Sequence, residues 1–111
     1  MSAPAPAPGS LVITSEIEDG ATSIALAGEL DLAGAHQLEA SLDEVERECP
    51  ARLVIDLRRL AFIDSTGLRL LLQADARARE RGCELVLRPG EASVQRVFEV
   101  TGALDVLRFE D

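Results

Sequence analysis

The chain has 111 residues, 47% of them hydrophobic, and a formal charge of −9 at pH 7. That length fits one domain burying roughly 60–70% of its unfolded surface, and the composition excludes a disordered chain. The acidic balance argues against duplex nucleic acid, whose affinity comes from cations meeting phosphates, and three aromatics, all Phe, give no stacking platform for a single strand. All 11 of the Lys and Arg positions are Arg, a bias read as genomic rather than chemical. Cys49 and Cys83 lack metal-site spacing, and the single His36 builds neither a metal site nor a His-dependent triad. No cofactor is implied. There is no signal-peptide pattern and no apolar run near 18 residues, so a cytoplasmic protein without membrane insertion is expected.

Taken in order, Met1 to Ser10 alternates Pro with small residues and reads as a flexible tail ahead of one domain over residues 11–111. Leu11 to Glu16 and Thr22 to Ala27 read as two strands. The turn signal Glu18-Asp19-Gly20 between them predicts an antiparallel hairpin. Gly28 is expected to end the second strand. Asp31 can cap a helix whose apolar stripe is Ala35, Leu38, Leu42, Val45 and Cys49, with Pro50 blocking continuation. His36 lies off that stripe and is expected at the surface. Leu53, Val54, Ile55 and Leu57 form a buried strand, followed by a short connection through Leu60 to Ile63. Asp56 within that run is expected to bond N–H groups of a loop near the end of the sheet. A helix is predicted from Ser65 to Arg81, with Leu68, Leu71, Leu72 and Ala76 inward and Gly82 as its stop. Its closing cations, Arg77, Arg79 and Arg81, suit the helix dipole. Glu84 to Leu87 is a short strand and Arg88-Pro89-Gly90 a loop. Glu91 to Thr101 is a helix with Val94, Val97 and Phe98 inward, and Asp105 to Phe109 is read as a short edge strand. The order ββαβαβα(β) predicts an α/β fold: a mixed sheet, antiparallel in its first hairpin and then parallel through right-handed βα units.

The turn Asp64-Ser65-Thr66-Gly67 is the centre of interest. Asp64 or Ser65 can cap the helix, and capping is the commoner use of both residue types. The same position is the positive end of a helix beside the carboxyl end of a strand, where open α/β sheets take ligands. A phosphate on Ser65 would meet backbone N–H donors there, with Arg69 one turn on and Asp64 opposing. If the strands before Asp31 and Asp64 run parallel, both carboxylates flank Ser65, either as two caps or as part of a binding edge. No base stands near Ser65 in the sequence, no phosphate loop is present, and no catalytic constellation is found.

Asp64-Ser65-Thr66-Gly67-Leu68 resembles the signature of STAS domains of bacterial anti-sigma factor antagonists. Gly28-Glu29-Leu30-Asp31 is similar to the family's motif before its first helix. Val94-Gln95-Arg96-Val97-Phe98, leading to Gly102 and Leu104, is similar to its final helix and turn. The resemblance spans Leu11 to Phe109. It implies a switch: the unmodified protein docks on an anti-sigma factor serine kinase and frees a sigma factor. Phosphorylation of Ser65 (Thr66 is the alternative acceptor) releases the kinase, and a PP2C-type phosphatase resets the protein. The docking residues implied are Glu29, Asp31, Asp64, Ser65, Thr66, Gly67 and Arg69. Arg69 departs from the Gly that antagonists usually carry. That departure favours the alternative of a non-switching STAS subunit in an ABC-type lipid-transport complex or a signalling scaffold.

Overall fold

The structure, a computed structural model, describes residues 9–110. The flexible-tail reading therefore falls outside the described residues over positions 1–8. Strands β1 (Leu11–Glu18) and β2 (Ala21–Leu30) form the expected hairpin. Helix α1 (Leu32–Glu48) leads to β3 (Arg52–Ile63), α2 (Ser65–Arg81), β4 (Glu84–Arg88) and α3 (Ala92–Thr101). A short 3-10 turn, Ala103–Asp105, follows. The four strands lie in the order β1-β2-β3-β4, with β2, β3 and β4 parallel to one another. This is the mixed α/β sheet read from the sequence.

Side chains alternate across the strands, so the sheet has two unlike faces. One carries Ile24, Leu26, Leu30, Ile55, Leu57 and Leu87 into a core completed by Leu38 and Leu42 of α1, Leu71 of α2, and Val94 and Phe98 of α3. Phe109 meets Phe98 edge-on, with ring centroids 5.2 Å apart. The other face carries Val54 and Val86, both buried yet outside that cluster. They lie on the same face as charged residues. Arg52 pairs with Glu84 at 3.0 Å and Glu110 at 3.4 Å, and Arg88 pairs with Glu110 at 3.1 Å.

Several expectations are corrected. Gly28 does not end β2, which runs on to Leu30. Gly28 adopts φ +108, a value open to glycine, and β1 and β3 pair on both sides of it. No connection interrupts β3. It is one 12-residue strand that absorbs two register shifts against β2, opposite Ala25/Ala27 and Gly28/Glu29. Each shift inserts one extra β3 residue, as a β-bulge does. Cys49 leaves the α1 stripe: it is the C-cap, in the left-handed conformation, and is exposed. Ala76 is exposed too, because the buried stripe of α2 runs through Leu68, Leu71, Asp75 and Ala78. Val97 is only partly buried. The final edge strand reduces to a single bridge between Leu87 and Phe109.

The cations closing α2 are more than dipole partners. Arg77 pairs with Glu46 of α1 at 2.6 Å. Arg79 joins the buried Asp75 at 3.0 Å and reaches the Val106 carbonyl at 2.7 Å, tying the chain's last turn to α2. Asp56 stands within β3, not at a loop, and accepts from the Arg58 N–H and guanidinium, both at 3.0 Å.

Candidate functional site at the carboxyl ends of β2 and β3

Leu30 and Ile63 are register partners at the ends of two parallel strands. The residue after each strand is an aspartate, and each aspartate caps the following helix. Asp31 accepts from the Gly34 N–H at 3.0 Å, and Asp64 accepts from the Gly67 N–H at 2.9 Å. The two junctions thus share one design, Asp-x-x-Gly. They are also joined: the Asp64 N–H donates to the Leu30 carbonyl at 3.2 Å. Gly67 is needed for this approach, since a Cβ there would lie 2.6 Å from Leu30 Cγ and 2.8 Å from the Leu30 carbonyl oxygen. At Gly34 a Cβ would lie 2.9 Å from the Glu29 carbonyl oxygen.

This geometry divides the labour between the two candidates for the cap. Asp64 holds it, so the Ser65 hydroxyl has no capping duty. Ser65 is the first residue of α2 and is exposed; Thr66 beside it is half-buried. Arg69, one turn further, is exposed. None of these three side chains bonds another described residue. The helix end contributes positive partial charge and orphan N–H groups at Ser65 and Thr66.

Glu29 faces the open side of the sheet and accepts from the Gly9 N–H at 2.6 Å. Its register partner is Phe62, which is 46% exposed. Leu32, directly after the Asp31 cap, is 60% exposed. The structure therefore brings Glu29, Asp31, Asp64, Ser65, Thr66, Gly67 and Arg69 to one edge and adds Leu32 and Phe62 as apolar surface. Those two were not singled out in the sequence, where Phe62 reads as part of an apolar run. The repeated Asp-x-x-Gly was the available signal for Gly34. Among the described residues there is no cluster of His, Cys, Asp or Glu able to hold a metal ion. No helix among them is long and apolar enough to cross a membrane.

A family model described as "Mlab, STAS domain" matches residues 13–108. The chain belongs to the STAS domain family. BtrV of Bordetella bronchiseptica, provisionally named an anti-sigma factor antagonist, is 37% identical over 94 residues, 85% of this chain and 81% of that protein. The anti-sigma-B factor antagonist of Listeria monocytogenes is 33% identical over 88 residues, 79% of this chain and 77% of that one. Among solved structures, an anti-sigma factor antagonist from Mycobacterium paratuberculosis is 30% identical with a TM-score of 0.81, covering 93% of this STAS chain and 87% of its own. The strand and helix order of this STAS domain thus matches that of its structural neighbours.

Proposed function

We propose that this STAS domain is an anti-sigma factor antagonist switched by phosphorylation at Ser65. The observation that carries the reading is the Asp64 cap: it leaves the Ser65 hydroxyl exposed and uncommitted at a helix N-terminus. The names of the relatives support the same role. In this reading the unmodified edge, with Glu29, Asp31, Asp64, Ser65, Thr66, Gly67 and Arg69, docks on an anti-sigma factor serine kinase in the cytoplasm. Docking frees the sigma factor. The kinase then phosphorylates Ser65, with Thr66 the alternative acceptor, and a PP2C-type phosphatase reverses the step.

Electrostatics set the size of the switch. A phosphate adds about −1.5 to −2 charges. One like charge ~5 Å away, at an effective dielectric near 20, costs about 3 kcal/mol. That is roughly a hundredfold in affinity. Arg69 favours the second reading, a non-switching STAS subunit of an ABC-type lipid-transport complex or scaffold, because an exposed cation there offers a constitutive contact. Paired pull-downs with Ser65→Ala and Ser65→Glu baits, read by mass spectrometry, separate the two. A serine kinase held by Ser65→Ala and lost by Ser65→Glu is the expected result. Transporter or scaffold proteins held equally by both baits would overturn the switch.

A further inference from the structure

We propose that β1 is a docking edge for a second copy of this chain, joined antiparallel about Ser15. Among the described residues β1 is the outer strand of the sheet, bonded to β2 alone. Two hydrogen bonds fix which of its backbone groups face outward. The Ser10 carbonyl, just before β1, accepts from Glu29 N–H of β2 at 3.0 Å, so the even-numbered residues point toward β2. The Leu11 carbonyl accepts instead from Gln37 Nε2 at 3.0 Å, so the odd-numbered residues point away from it. Ile13, Ser15 and Ile17 therefore direct their N–H and C=O groups to the free side, where no described residue bonds them.

Sheet edges are ordinarily blunted by shortness, proline, charged side chains (lysine above all), a bulge or a covering element. β1 reads LVITSEIE over eight residues: it has no proline or lysine, its two charges, Glu16 and Glu18, are confined to its second half, and its pairing with β2 runs without a register shift. Val12 is 43% and Ile17 70% exposed.

The side chains select one register. In an antiparallel pair the outward residues exchange both bonds, and residues directly opposite share a face. Centred on Ser15, Ile13 of each copy meets Ile17 of the other on the helix-bearing face, Ser15 meets Ser15, and Thr14 meets Glu16. No acid opposes an acid, and the exposed Ile17 gains an apolar partner. Sliding by two residues toward Thr14 asks Leu11 to pair, but its carbonyl already holds Gln37. Sliding the other way sets Glu16 against Glu16 and brings in Asp19, whose φ of 50 belongs to the turn. The product is a continuous eight-stranded sheet. Because the copies run antiparallel, their Ser65 edges face opposite ways and both stay open. The charge of −9 on each copy opposes association, so added salt strengthens the pair.

Sedimentation velocity on the full chain over a wide concentration range, with amide hydrogen exchange by NMR on the same samples, tests this. The expected result is a monomer–dimer equilibrium that tightens with salt, with Ile13, Ser15 and Ile17 amides gaining protection as concentration rises. Ile17→Lys, at an exposed site that leaves the fold intact, raises the dimer Kd roughly tenfold or more through loss of two cross-strand pairs. A monomer at every concentration overturns the proposal. So does a dimer indifferent to Ile17→Lys. Protection of these three amides that does not change with concentration assigns the edge to the chain's own first residues and also overturns it.

Discussion

At Asp64 and Gly67 two substitutions in one turn act through different physics. Asp64→Ala removes the acceptor for the Gly67 N–H and costs about 0.5–2 kcal/mol, the usual worth of an N-cap. Gly67→Ala keeps the cap but drives a methyl group into the Leu30 carbonyl, 2.8 Å from where it must sit. That atom is backbone, so the two junctions must separate. The expected order in thermal denaturation is wild type, then Asp64→Ala, then Gly67→Ala, the last losing the most. Equal melting temperatures for Gly67→Ala and wild type would mean that the junctions do not touch. The capping role of Asp31 was legible in the sequence, and the second cap was narrowed to Asp64 or Ser65, since capping is a local matter of residue type and position. The repeated glycine at positions 34 and 67 was visible as a pattern, but the reason for it was not, because that depends on contacts with Glu29 and Leu30 that only the fold brings about.

Strand β3 shows what an element can hide. Its first half was read correctly as a buried strand. Its second half reads as a short connection through Leu60 to Ile63 because Arg58 and Arg59 interrupt the apolar run and the helix start at Asp64 follows closely. The structure shows a strand bearing two extra residues, so that Leu60 and Ile63 stay inward while the residues between them face out. A one-residue slip in a strand normally turns its buried side chains outward. Here each insertion is absorbed locally. Removing Ala61 should leave Leu60, Phe62 and Ile63 in regular alternation against Gly28, Glu29 and Leu30. That variant is expected to fold, melt cooperatively and keep its core. Removing Ile55, which pairs with Ile24 in the regular stretch before either shift, should abolish the cooperative transition. A cooperative melt for both deletions would show that the bulges do not set the strand's register.

Seen whole, the molecule places all three helices on one side of its sheet and a lattice of ions on the other. The element order and the mixed sheet could be read from hydrophobic periodicity and turn residues. The ionic face could not: Arg52 and Glu110 are 58 positions apart, and nothing local marks them as partners. Asp56 sits in this lattice with its side chain 12% exposed, 2.8 Å from Arg58 and 3.9 Å from Arg88. Burial works against its charge, but the hydrogen bonds from Arg58 and the nearby Arg88 outweigh it and hold the carboxyl below the usual aspartate value. A lowered folded-state pKa means stability that is present above the unfolded value and lost as pH falls through the folded one. The unfolding free energy of wild type should therefore drop more steeply than that of Asp56→Asn below about pH 4. Parallel acid profiles in chemical denaturation would remove Asp56 from the account.

The Asp64 cap has one more consequence. Because the helix start is fastened by a neighbour, a group added to Ser65 has no fold to undo. Two copies of the chain, one altered and one not, would share a core and a strand order, and differ in the charge at one helix end and so in what will bind them. On the proposed switch, such a molecule would keep its history in a covalent bond and not in a shape. Thermal motion could not erase that record, which would last until something hydrolysed the ester.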